Sequence, residues 1–151
     1  TLRRLAGDAV ELRVNLALGL RPLFADRRQV EQVLMNLAAN ARDAMPRGGR
    51  LTVAAANLER CAACPYCGAD VRVGDFVAIE VRDTGAGIDD EVRQHLFEPF
   101  FTTKEPGKGT GLGLATVHGI VTQSGGHVCV ESAPGCGAAF HVLLPAAARR
   151  S

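Results

Sequence analysis

Residues 83–114 read DTGAGIDDEVRQHLFEPFFTTKEPGKGTGLGL, and this stretch decides the fold. It opens with Asp83-Thr84-Gly85-Ala86-Gly87-Ile88, directly after an apolar, alternating segment at residues 76–81 (FVAIEV). A carboxylate at a strand end can accept a hydrogen bond from an exocyclic amine and so tell adenine from guanine. Gly85 and Gly87 let backbone pass a flat ring where a Cβ would clash. Taken alone, the same letters describe an ordinary Asp/Gly turn. Three of the chain's six Phe follow within residues 97–101, an aromatic anchor at the root of a loop or simply a core patch. The stretch ends in Gly107-Lys108-Gly109-Thr110-Gly111-Leu112-Gly113-Leu114, whose glycines allow backbone amides to converge on phosphate oxygens at a helix start. Lys104 and Lys108 can add positive charge. A flexible linker is the plain alternative, but an amphipathic helix follows at once.

Working outward, residues 10–18 (VELRVNLAL) alternate apolar and polar side chains as a half-buried strand does. Residues 22–25 can supply a short second strand. Asp26 is a good N-cap, with Gln29 completing a capping-box pattern. Val30, Val33, Leu34, Leu37, Ala38, Ala41 and Ala44 then recur at helical spacing, until Pro46 and Gly48-Gly49 stop the helix. Residues 51–58 read as a strand, 61–74 as an irregular Cys-bearing stretch, and 89–96 as a short helix. Residues 98–113 read as a long loop. Helical spacing resumes through Leu114, Val117, His118 and Val121 until Gly125-Gly126. Strands at 127–131 and 138–144 close the chain around a Pro134-Gly135 turn. Strands and helices do not alternate strictly, so the expected class is α+β: a two-layer sandwich, helices on one face of a mixed sheet.

Asn36 and Asn40 lie at i and i+4 on the long helix, so both carboxamides project from one face, with Gln32 and Asp43 beside them. An amide oxygen suits Mg²⁺, which keeps most of its waters and borrows phosphate oxygens. Surface decoration is the plain reading. Yet two mid-helix Asn are locally unfavourable choices, and such violations tend to mark function.

In this order the four segments resemble the N, G1, F and G2 boxes of the sensor histidine kinase catalytic domain. That fold is shared with gyrase-type, chaperone and mismatch-repair ATPases. Each box is weak alone; four in sequence are specific, and they run from Gln32 to Leu114. The resemblance implies an ATP-binding domain with a glycine-rich lid that passes a phosphoryl group to a histidine. Asn40 would be the Mg²⁺ ligand and Asn36 its companion on the phosphate side, through phosphate or water. Asp83 would hydrogen-bond the adenine amine, with Gly85, Gly87 and Ile88 around the ring. Gly109, Gly111 and Gly113 would present amides to the phosphates, with Thr110, Leu112 and Leu114 shaping the lid and Lys104 and Lys108 nearby. No residue of this chain is assigned as catalytic.

Departures from the pattern are informative. In the ATP-hydrolysing cousins a water-activating glutamate stands where this chain has Asn36, and an amide cannot act as a general base. That favours transfer over hydrolysis, leaving a hydrolysing ATPase or a non-catalytic nucleotide- or metal-sensing module as alternatives. Asp43 stands where many histidine kinases carry Lys, as in the nitrogen-regulatory and hybrid branch. Gly135-Cys136-Gly137-Ala138-Ala139-Phe140 resembles a G3 segment with Ala in place of its hydroxyl residue. The acceptor histidine of the family sits on a separate helical dimerisation domain. His95, His118, His127 and His141 all fall within elements of the ATP-binding domain instead. The implied partners are therefore that dimerisation domain and a response-regulator receiver domain. Residues 1–9 read as the end of a linker from the former, with 10–151 as the catalytic domain, and the start at Thr1 suggests a fragment of something longer.

Bulk properties agree with this reading. The chain's 151 residues fit one domain, and 47% are hydrophobic. Net charge is +1 with scattered basic residues, which gives no footprint for nucleic acid. No apolar run is long enough to insert in a membrane, so the expected setting of this part is cytoplasmic, compatible with an anchor elsewhere. Five cysteines, an odd number, fit a reducing compartment. Cys61, Cys64 and Cys67 form an insert at about residues 60–74 that the family pattern does not explain. Paired C-x-x-C steps resemble a zinc knuckle, but three thiolates leave a tetrahedral Zn²⁺ site one ligand short. An outside ligand, a partner subunit, a redox disulfide and an insert without metal all stay open.

Overall fold

In the computed structural model, residues 10–23, 25–98 and 113–147 are described. The elements run β1 (Val10–Leu16), α1 (Arg27–Asp43), β2 (Gly49–Ala63), β3 (Asp70–Asp83), α2 (Asp90–Arg93), α3 (Gly113–Gln123), β4 (His127–Ser132) and β5 (Ala138–Pro145). The sheet has the order β1-β2-β3-β5-β4, with β1 parallel to β2 and the remaining pairs antiparallel. The class is therefore the expected α+β with a mixed sheet. Helix α1 is the crossover that a parallel β1–β2 pair requires.

Alternation sorts the strands into two faces. Val77, Ile79 and Val81 of β3 and Phe140, Val142 and Leu144 of β5 join Val33, Leu37, Ala38 and Ala41 of α1 and Val117 and Val121 of α3 in the main core. The 3.6-residue spacing of the α1 set is what lets one helix cover the sheet. On the opposite face, Phe76, Ala78 and Leu143 gather with Cys64 and Cys129 in a second, smaller core. Both faces of β5, and of β3 over residues 76–79, are thus buried.

Several boundaries differ from the sequence expectation. The stretch at 61–74 is not irregular: Cys61–Ala63 continue β2 and Asp70–Gly74 belong to β3, a long two-stranded ribbon. Its alternation is broken by register shifts between Leu58 and Cys61 and between Cys61 and Ala63. Arg60 takes a positive φ of 56°, unusual for a non-glycine residue, at that irregularity. Helical geometry near 89–96 is confined to Asp90–Arg93, capped by the Asp89 carboxylate accepting from Val92 N–H. Of the expected strand at 22–25, the described residues show one antiparallel bridge, Leu23 to Ala146. Asp26 caps α1 as expected, accepting from Arg28 N–H at 2.8 Å. No helix among the described residues is long and apolar enough to cross a membrane.

Candidate functional site

The C-terminal half of α1, the end of β3 and the start of β5 meet around a cleft of about 350 Å³. Asn40, Asp43 and Ala44 line it from the helix, Asp83 from the strand end, and Ala86, Gly87, Ile88 and Asp89 from the following loop; Val92, Leu96 and Ala138 complete the wall. Asp83 ends β3 opposite Ala138 of β5 and is only 4% exposed. Its Oδ1 accepts from Gly85 N–H at 2.8 Å. Burial pushes the Asp83 carboxyl above the usual carboxylate range, opposed by the Gly85 and Ala138 backbone donors. A buried acceptor held against an apolar wall suits recognition of a donor on a flat ring.

The loop after Asp83 is fixed by its neighbours. A Cβ on Gly85 would lie 2.4 Å from the Ala44 carbonyl oxygen, and one on Gly87, where φ is +79°, would lie 2.0 Å from that of Ala133. Protein backbone therefore already demands these two glycines, a cause the sequence reading had placed with a ligand ring. Ser132 Oγ clamps the other side, accepting from Ile88 N–H at 2.8 Å and donating to the Gly137 carbonyl at 2.7 Å. Gly135 N–H donates to the Ala86 carbonyl at 2.6 Å. The Gly135–Ala138 segment thus shapes the cleft through backbone, which needs no hydroxyl side chain. These contacts were not visible in the sequence, since they join residues far apart along the chain, 44 positions for Ile88 and Ser132.

The two helix amides diverge. Asn40 faces the cleft, whereas Asn36 accepts from Gln32 Nε2 at 2.8 Å and donates from Nδ2 to the Gly113 carbonyl at 3.2 Å. Asn36 therefore ties α1 to the first residue of α3. Asp43 sits 3.7 Å from Arg42 at the edge of the site. Leu114 packs against the main core rather than lining the cleft. Phe97 anchors the segment after α2, edge-on to Phe140 with centroids 6.4 Å apart and tilted on His118 at 5.6 Å. Lys104, Lys108, Gly109, Thr110, Gly111 and Leu112 lie outside the described residues, as do Phe100 and Phe101.

The cysteines fall elsewhere. Cys64 and Cys67 meet His127 and Cys129 of β4 on the face opposite the helices, while Cys61 is not in that group. Of the three insert thiolates, Cys64 and Cys67 are thus in the group, and β4 supplies its other two members.

Residues 25–148 match the family model described as histidine kinase-, DNA gyrase B-, and HSP90-like ATPase. The chain is 48% identical over 144 residues to the sensor kinase CckA of Brucella abortus, covering 95% of this chain and 15% of that protein. It is 39% identical over 138 residues to the sensor protein FixL of Bradyrhizobium diazoefficiens, covering 91% and 25% respectively. Among solved structures, full-length ShkA in complex with AMPPNP superposes with a TM-score of 0.74 at 28% identity, over 99% of this chain and 30% of that one. The catalytic domain of histidine kinase ThkA gives 0.72 at 27% identity, over 96% and 82%. The chain spans well under a third of the length of the curated relatives it matches.

Proposed function

The chain belongs to the histidine kinase-, DNA gyrase B-, and HSP90-like ATPase family, with sensor histidine kinases as its relatives, and on that premise we propose that it binds Mg·ATP and delivers the γ-phosphoryl group to a histidine on a separate dimerisation domain. The observation that carries this reading is the convergence of Asn40, Asp83 and the Gly87 loop on one cleft, with the start of α3 tied to the same helix face.

In this proposal Asp83 accepts the adenine amine while Ile88, Val92 and Leu96 form apolar wall beside the ring. Asn40 is a half-buried carboxamide with Asp43 one helical turn on, an oxygen donor set that fits Mg²⁺. When bound there, Mg²⁺ would neutralise charge on the triphosphate. Asn36 is a positioning residue, holding the Gly113 end of the glycine-rich segment against α1. Lys104, Lys108 and the amides of Gly109, Gly111 and Gly113 then surround the phosphates. Transfer needs little covalent help from the protein beyond placement and charge. With Asn36 rather than a carboxylate on the phosphate side, the site has no base there to activate water, which favours a protein acceptor.

Incubation of the chain with Mg·[γ-³²P]ATP and the purified dimerisation domain of its longer parent tests this. Acid-labile, base-stable phosphate on that domain is the expected result. Phosphate release at the same rate without the partner would instead make it a hydrolysing ATPase. The longer protein would then pass the phosphoryl group to a response-regulator receiver domain.

A further inference from the structure

We propose that Cys64, Cys67, His127 and Cys129 form a structural zinc site that staples the β2–β3 ribbon to β4, on the face of the sheet away from the nucleotide cleft. One ligand atom from each of the four lies within 4.8 Å of all the others. Cys64 Sγ is 3.8 Å from Cys129 Sγ, and Cys67 Sγ is 3.2 Å from His127 Nε2. Zn–S bonds of about 2.3 Å and Zn–N bonds of about 2.0 Å in a tetrahedron give edges of roughly 3.8 Å between sulfurs and roughly 3.5 Å from sulfur to nitrogen. The Cys64–Cys129 and Cys67–His127 separations match these edges to within a few tenths of an ångström, and the remaining pairs, all within 4.8 Å, would close by at most about 1 Å on binding the ion.

The chain builds this arrangement by distinct local means. His127 and Cys129 are two apart on a strand, so both side chains leave the same face of β4. Cys64 and Cys67 flank a tight turn in which Gly68 N–H donates to the Cys64 carbonyl at 2.8 Å and Cys64 N–H donates to that of Ala69 at 2.8 Å. Gly68, at φ +78°, takes the left-handed conformation that lets the chain leave the turn. Between the cysteines, Tyr66 stacks face to face on His141 of β5, with centroids 3.8 Å apart and planes within 4°. That contact holds the turn down across β5 so that it reaches β4. The register shifts and the positive φ at Arg60 lie on the path of this bend.

The donor set selects the ion. Three thiolates and an imidazole suit Zn²⁺ far better than Mg²⁺ or Ca²⁺. Four protein ligands leave no open position, the mark of a structural rather than a catalytic site. Neither Asn40 nor Asp83 is involved, so the site acts on the ribbon and not on nucleotide chemistry. Cys61, which is not in the group of four, and the exposed Cys136 are internal controls.

Metal analysis of the full chain purified without chelator should find one zinc per chain. Replacement by Co²⁺ should give the intense visible bands of a tetrahedral cobalt thiolate. Cys67→Ser and His127→Ala should each lower zinc affinity by more than about 100-fold, beyond what loss of an outer-shell partner causes. Cys61→Ser and Cys136→Ser should leave the stoichiometry at one. Cys67 is exposed, so its variant should keep the fold, checked by circular dichroism. Three results would each overturn the proposal: a wild-type chain that takes up neither zinc nor cobalt, full zinc retention in both Cys67→Ser and His127→Ala, or an oxidised Cys64–Cys129 disulfide in freshly isolated protein from a reducing host.

Discussion

The two faces of the sheet are built on different terms. On the helix side, Val77, Ile79, Val81, Phe140, Val142 and Leu144 meet the periodic apolar faces of α1 and α3, and the cleft opens at the end of that contiguous core. On the other side, a smaller core of Phe76, Ala78 and Leu143 is covered by a bent ribbon bringing two cysteines to a cysteine and a histidine of β4, and a tyrosine to a histidine of β5. The first face is held by area and shape. The second is held by a few directional contacts, as small cores generally must be. The contrast separates two properties that one domain usually mixes: nucleotide binding should answer to the helix face, and attachment of the ribbon to the back.

Perturbations should respect that division. The largest effect is expected from Leu37→Ala, which opens a cavity where α1 meets the sheet. It should cost about 2–5 kcal/mol in chemical denaturation and carry nucleotide affinity down with it. Asp83→Asn should weaken Mg·ATP binding by about 10- to 100-fold, equivalent to a hydrogen bond to a charged group of about 1.5–3 kcal/mol, with zinc content unchanged in calorimetry and metal analysis. Gly87→Ala must relieve a contact of 2.0 Å at a left-handed φ and should cost about 1–3 kcal/mol, read as a lowered Tm together with reduced affinity. A change in ribbon proteolysis in Asp83→Asn, the variant that leaves the core intact, would break the separation.

A pH titration sharpens the same point. The folded-state value of Asp83 lies above its ordinary one, so the stability this group contributes is present below the ordinary carboxylate value and is lost as pH rises through the raised value. Nucleotide binding runs the opposite way, because the ionised carboxylate is the better acceptor. Affinity should therefore begin to fall on acidification above the ordinary Asp range, and Asp83→Asn should lack that fall. The smallest effect is expected from Cys136→Ser, an exposed change that should stay within about 0.5 kcal/mol and alter neither site.

How much of this was legible in the sequence follows the same line. Period and capping placed α1, and the Asp83–Ile88 run after an alternating strand marked the cleft, because those signals are local. The ribbon was not legible, since a bulge at Leu58–Cys61 interrupts the alternation that would have extended β2 through Ala63. The two metal-type ligands of β4 were hidden for another reason: Cys129 is 65 residues from Cys64 and His127 is 60 from Cys67, and they meet only through the fold. A second cause for Gly85 and Gly87 was not legible, because close backbone approaches to Ala44 and Ala133 leave no mark on their neighbours in sequence.

The most direct test is calorimetric titration of Mg·AMPPNP and Mg·GMPPNP into the wild-type chain and Asp83→Asn. One saturable site with a clear preference for the adenine nucleotide, lost in the variant, is the expected outcome. Equal binding of the two bases, or an affinity for Mg·AMPPNP that the substitution leaves untouched, would mean that the carboxylate at the end of β3 does not read the base and that the cleft is not the nucleotide site.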